Sequence, residues 1–123
     1  MDSRVRHVIS LMEDHLSKRL MLNSIARSVN LTPEHLCRIF KAETGDTPIN
    51  YLRWLRIQKA KQLLDTSFLS VKEIMHIVGA GDESHFRRDF KTACGMTPSR
   101  YRAQLRMVVN ETRVSYPTSK SAT

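Results

Sequence analysis

Two arginine–lysine pairs, Arg38 with Lys41 and Arg88 with Lys91, recur at a fixed interval of 50 residues. A guanidinium can donate two parallel hydrogen bonds to O6 and N7 of one guanine, whereas an ammonium is a point charge suited to phosphate. Other side chains with similar chemistry cluster around these pairs. Glu34 can accept from cytosine N4, or it can simply sit where a helix N-terminus favours negative charge. Ser84 and His85 can bond a base edge or a phosphate, and Arg53, Arg87 and Arg102 add further cations. Cys37 stands beside Arg38 and near Lys41, which raises the idea of a redox-reactive thiol, but a small residue tolerated on a binding face is the plainer reading. These groups suit a polyanion, and only the elements that carry them decide which one.

The pairs belong to a longer repeat. HLCRIFKAETGDTPINYLR from His35 and HFRRDFKTACGMTPSRYRA from His85 align without a slip. They share His35/His85, Arg38/Arg88, Phe40/Phe90, Lys41/Lys91, Gly45/Gly95, Thr47/Thr97, Pro48/Pro98 and Tyr51/Tyr101. Such self-similarity means one supersecondary unit used twice.

Local chemistry defines the unit. Thr32-Pro33 is an N-cap followed by proline at the first helical position. Leu36, Ile39 and Phe40 then form an apolar stripe. Gly45 stops the helix in a left-handed cap, and Thr47-Pro48 starts the next. In the second copy Asp82 is the expected N-cap, Phe86, Phe90 and Ala93 the stripe, Gly95 the stop and Thr97-Pro98 the restart. A short helix precedes each copy, at 23–29 and 71–78, the second opened by a Ser70/Glu73 capping box. Asn30 and Gly79 follow, both types that tolerate positive φ. A short helix, a tight turn and a second helix make a helix-turn-helix.

The chain therefore reads as all-α, with about seven helices. An N-terminal helix from Ser3 to Lys18 carries Val5, Val8, Ile9, Met12 and Leu16 on one stripe. The first lobe is expected over residues 1–47, a connecting helix over 48–65 and the second lobe over 66–107, with a polar, flexible tail at 108–123. The connector has apolar residues on several faces (Tyr51, Leu52, Trp54, Leu55, Ile57, Ala60, Leu63, Leu64), as a helix packed on more than one neighbour needs.

Periodicity also gives the exposed faces. With Leu36, Ile39 and Phe40 inward, Glu34, Cys37, Arg38 and Lys41 point out. With Phe86 and Phe90 inward, Ser84, His85 and Arg88 point out, flanked by Arg87 and Lys91. The second helix of such a unit reads base edges from its N-terminal half. Glu34, Cys37, Arg38, Ser84, His85 and Arg88 are thus the candidate base readers. Lys41, Arg53, Arg87, Lys91 and Arg102 are the candidate phosphate contacts. His35, close to the stripe, reads as structural. Arg56 fits either packing or phosphate contact.

These residues resemble the DNA-binding domain of the AraC/XylS family of bacterial transcription regulators. The resemblance rests on LTPEHLCRIFK at 31–41, Gly45-Asp46-Thr47-Pro48, Tyr51-Leu52, Arg56, Ala60, Leu63-Leu64, Ile74, Gly79, His85-Phe86, Arg88, Phe90-Lys91, Gly95-Met96-Thr97-Pro98 and Tyr101-Arg102, across roughly residues 5–105. It implies two helix-turn-helix units on a long helix, and its base-reading positions fall on the six residues already named. Two positions depart from it: Met75 where the family has alanine, and Ala80 where it has an aromatic. One expectation is that Met75 fills the space vacated at Ala80.

Composition narrows the classes. The 123 residues carry 20 Lys+Arg against 12 Asp+Glu, a formal net charge of +8. No apolar run reaches the ~18 residues of a membrane span, and the N-terminus has no secretory core. Two cysteines make no disulfide framework, so a reducing, cytoplasmic setting is expected. There is no zinc-ligand spacing, phosphate loop or nucleophile elbow, so no cofactor and no enzyme are expected. The expected function is sequence-specific binding of double-stranded DNA, as a monomer using two adjacent major-groove segments, in a bacterial, nucleoid-associated regulator. The alternative is a helical adaptor for RNA polymerase or another regulator, with weak or non-specific DNA affinity. The length leaves no room for a sensor domain, and the initial Met and polar tail suggest a stand-alone regulator rather than an excised half.

Overall fold

The computed structural model describes residues 1–107. The tail expected at 108–123 lies outside the described residues. Six helices run in order: α1 (Ser3–Asp14), α2 (Leu22–Ser28), α3 (Pro33–Thr44), α4 (Pro48–Thr66), α5 (Val71–Ile77) and α6 (Glu83–Cys94). A seventh, α7, is helical from 98 to 107, the last described residue. No strand occurs among the described residues.

The caps set the boundaries. The Thr32 hydroxyl accepts from the His35 amide, Thr47 from Asn50, and the Asp82 carboxylate from His85. The Ser70/Glu73 capping box is closed in both directions. It holds the Glu73 carboxyl below its usual range, through hydrogen bonds with Ser70. Gly45 (φ 85°) and Gly95 (φ 80°) end α3 and α6 in the left-handed region, each amide donating 2.8 Å to the Lys41 or Lys91 carbonyl. Side-chain packing repeats as well. Phe40 meets Tyr51 edge-on at 5.3 Å and 77°, and Phe90 meets Tyr101 at 5.6 Å and 74°.

The helices enclose two cores. Val5, Val8 and Met12 of α1, Ile25 and Ala26 of α2, Leu36 and Phe40 of α3 and Leu52 of α4 form the first. Ile57, Ala60 and Leu64 of α4, Ile74 and Met75 of α5, Val78, and Phe86 and Phe90 of α6 form the second. Leu52 and Ile57 lie roughly 140° apart around the helix axis, so α4 turns one face to each core. Its 19 residues span roughly 28 Å at 1.5 Å per residue.

Two expectations change. Helix α1 ends at Asp14, not Lys18, and the chain turns through 15–17. Leu16 still packs on the first core, but from the turn. Ala93 is exposed, so the second stripe is Phe86 and Phe90 alone. Met75 belongs to the same core that Ala80 packs against. It is buried in the second core, while a cleft of about 240 Å³ stays open alongside Ala80, walled by Arg53, Arg56, Ile57, Gly81, Asp82, His85, Phe86 and Asp89. An aromatic at position 80 would cover Ile57 and Phe86. Ala80→Phe is therefore expected to stabilise the second lobe by ~1 kcal/mol, roughly 4–8 °C for a unit this small. A lower melting temperature would mean the walls are too close for the ring.

Candidate nucleic-acid interface

Each second helix of the two units is amphipathic, and its outer face carries the named residues. On α3, Glu34, Arg38 and Lys41 are exposed, and Cys37 and His35 are half-buried. On α6, Ser84, His85, Arg88 and Lys91 are exposed, and Arg87 is half-buried. Of the residues that periodicity turned outward, Glu34, Arg38, Lys41, Ser84, His85 and Arg88 are thus at the surface, and Cys37 is only partly so. Arg38, Lys41, Arg88 and Lys91 have no ion-pair partner among the described residues. No charged side chain is buried there either, so the positive groups stay at the surface.

The other candidate phosphate contacts, Arg53, Arg87 and Arg102, are engaged. Arg53 of α4 donates from Nε and Nη2 to the Asp89 carboxylate of α6, both at 3.2 Å. Its Nη2 also meets Nε2 of His85. His85 Nε2 lies 3.7 Å from Asp89 Oδ1. Arg87 pairs with Glu83 one turn back, at 2.9 Å. These pairs are partly exposed, worth about 0–1 kcal/mol each where water reaches them, so a phosphate could displace the carboxylate. Asp89 was missed in the sequence. Its one signal was the i, i+4 spacing from His85, which does not show that Arg53 arrives from another helix.

Arg102 is different. Its guanidinium donates to the backbone carbonyls of Leu64, Ser67 and Leu69, capping the end of α4 and the loop beyond. Three of its five donors are thus committed to the protein's own backbone, which corrects the expectation of a side chain free to meet phosphate. Arg56 is settled the same way: Nε donates to the Leu16 carbonyl (3.3 Å) and Nη2 to that of Lys18 (3.0 Å). Burial lowers the pKa of both guanidiniums. The Cys37 thiol is free. Among the described residues no group of His, Cys, Asp and Glu could hold a metal ion, and no helix is long and apolar enough to cross a membrane.

Two capped helices on separate cores, each with an unpaired arginine and lysine at matched positions, define a double helix-turn-helix module. A family model described as a helix-turn-helix domain matches residues 25–104. The chain belongs to this family, the AraC/XylS type. It is 41% identical over 95 residues to the MmsAB operon regulatory protein of Pseudomonas aeruginosa, covering 77% of this chain and 31% of that one. It is 33% identical over 115 residues to the arabinose operon regulatory protein of Escherichia coli, covering 93% and 39%. The chain spans about a third of the length of the curated relatives it matches. Among solved structures, the DNA-binding domain of AdpA in complex with a target DNA superposes with a TM-score of 0.81 at 27% identity, covering 85% of this chain and 94% of that one. An AraC-type regulator from Chromobacterium violaceum superposes with a TM-score of 0.77 at 30% identity, covering 84% and 92%.

Proposed function

We propose that the chain is the DNA-binding module of a transcription regulator, binding duplex DNA as a monomer with α3 and α6 in adjacent major-groove segments. The observation that carries this reading is the recurrence of one exposed, unpaired Arg–Lys pair on each of two capped helices with separate cores. A membrane surface or a general polyanion requires no such duplication. The relatives' names as operon regulators and the AdpA domain's complex with DNA support it.

In this reading Arg38 and Arg88 take guanine edges, and Glu34, Cys37, Ser84 and His85 complete the two base-reading faces. Lys41, Arg53, Arg87 and Lys91 hold phosphates, which fix register without reading sequence. Arg102 keeps the second lobe folded. The two lobes read segments about one turn apart, ~10 bp, giving an asymmetric site. A mismatch between lobe spacing and groove spacing is met by bending the DNA, at a cost of order 1–6 kcal/mol. The setting that follows is the bacterial cytoplasm, at the nucleoid.

A titration of selected and random duplexes over a range of salt tests this. With four phosphate contacts, log affinity is expected to fall against log salt with slope about −3.6, roughly a hundredfold between 50 and 200 mM. Selected sites should bind at least ~10³-fold more tightly than random ones. Lys91→Ala should weaken every duplex alike and reduce the slope by about one. The rival reading, an adaptor for RNA polymerase with little DNA affinity, requires equal and weak binding to both pools.

A further inference from the structure

The turn after α1 is where the two lobes meet. Leu16 packs on the first core, while its carbonyl meets two other parts of the molecule. One is Arg56 of α4, whose two donors take the carbonyls of Leu16 and Lys18. The other is Gly79, in the turn of the second helix-turn-helix. A Cβ at Gly79 would lie 2.1 Å from the Leu16 oxygen and 3.1 Å from both the Leu16 carbonyl carbon and the Ser17 Cα. All three are backbone atoms, so no side-chain rotation could relieve the clash. Ser17 also lines one groove with His76, Ile77, Gly79, Ala80 and Gly81.

Positive φ alone does not require glycine there. The matching turn of the first lobe has Asn30 at φ 59°, against 79° at Gly79. What Gly79 adds is the absence of a side chain where another lobe's backbone passes. Gly79 stands three residues before Asp82, the N-cap of α6, so whatever holds Gly79 also holds the start of that helix. The two cores are otherwise separate and share only α4.

We propose that the turn at 15–18 is a brace between the lobes, held by Arg56 and seated on Gly79, which fixes the offset between α3 and α6 and thereby the half-site spacing the module accepts. Arg56 and Gly79 are then positioning residues for spacing specificity, although neither faces DNA. The consequence for spacing rests on the DNA-binding reading above, but the brace itself does not.

Two measurements separate them. Spin labels at Ala42→Cys and Thr92→Cys, exposed and equivalent sites on α3 and α6, in a Cys37→Ser, Cys94→Ala background, report the distance between the helices without DNA. The unmodified brace should give one narrow distribution. Arg56→Met, which keeps the stem and loses both donors, and Gly79→Asn, which keeps positive φ and adds a Cβ, should each broaden or shift it at unchanged helicity. Arg56→Lys, reaching one carbonyl at most, should fall between. Should Gly79→Asn lose helicity, the Arg56 pair decides. Identical distributions in all variants would overturn the brace. The second measurement uses the best selected duplex with one or two base pairs inserted between the half-sites. Each inserted base pair rotates one half-site by roughly 34°. The wild type should lose about tenfold or more per insertion, the scale of a base-pair mismatch, and Arg56→Met should lose clearly less. If no duplex is bound specifically, the function falls while the distance measurement still decides the brace. If distances broaden but the spacing profile is unchanged, the brace stands and its role in spacing is refuted.

Discussion

Phe90→Ala is expected to unfold the second lobe and leave the first one folded. Phe90 is fully buried, and its ring touches both Phe86 and Tyr101. Removing such a ring costs about 3–5 kcal/mol, a lost transfer term plus a cavity. That is most of what a lobe this size can hold, since whole domains have only about 5–15 kcal/mol. The loss stays local because the two cores are disjoint: no buried residue belongs to both, and α4 offers Leu52 to one and Ile57, Ala60 and Leu64 to the other. Amide exchange is the direct measurement. Protection should vanish in α5, α6 and the second half of α4 and persist in α1 to α3. Phe40→Ala, equally buried against Tyr51, should give the mirror result. Uniform loss of protection in either variant would mean the cores fold as one cooperative unit, with the brace at 15–18 coupling them more strongly than their separate packing suggests.

The contrast between lobes and brace also explains what the sequence could reveal. The helix boundaries at Thr32, Gly45, Thr47, Ser70, Asp82 and Gly95 were legible because each cap is a local device, satisfied within four residues of itself. The outward faces of α3 and α6 were legible because Leu36, Phe40, Phe86 and Phe90 obey the helical period. The end of α1 was not. No Gly, Pro or Asn stands at 14–18, and Leu16 continues the apolar stripe, so nothing local stops the helix at Asp14. The carbonyls of Leu16 and Lys18 are instead taken by a side chain 40 and 38 residues away. Arg102 and Arg53 were misread or half-read for the same reason. Their partners lie 33 to 38 residues distant for Arg102 and 36 for the Arg53–Asp89 pair. A cation in a basic chain looks the same whether it will meet phosphate or a carbonyl, and only tertiary contacts separate the two. Ala93 failed differently. It completes the pattern i, i+4, i+7 from Phe86, yet it lies exposed one residue before the end of α6, and periodicity alone does not show where a core stops.

Arg38→Ala and Arg88→Ala are expected to separate reading from holding. Each side chain is exposed on its helix and has no ion-pair partner among the described residues, so the fold should be unchanged by its removal. A bidentate guanidinium on guanine is worth about 1–3 kcal/mol of discrimination, hence roughly five- to 150-fold in affinity for the selected site and far less on random duplex. The loss should be confined to one base pair per variant: repeating the site selection with Arg38→Ala should relax one position in one half-site, and with Arg88→Ala one position in the other. Because the two act in different lobes, the double variant should lose close to the sum of the single losses. Lys41→Ala supplies the opposite signature, with equal loss on every duplex and a salt slope smaller by about one. If Arg38→Ala shows that uniform pattern, the arginine grips phosphate, and base reading on α3 falls to Glu34 and Cys37. If the double variant loses no more than the worse single one, only one lobe reads bases, and the other serves to hold the duplex in place.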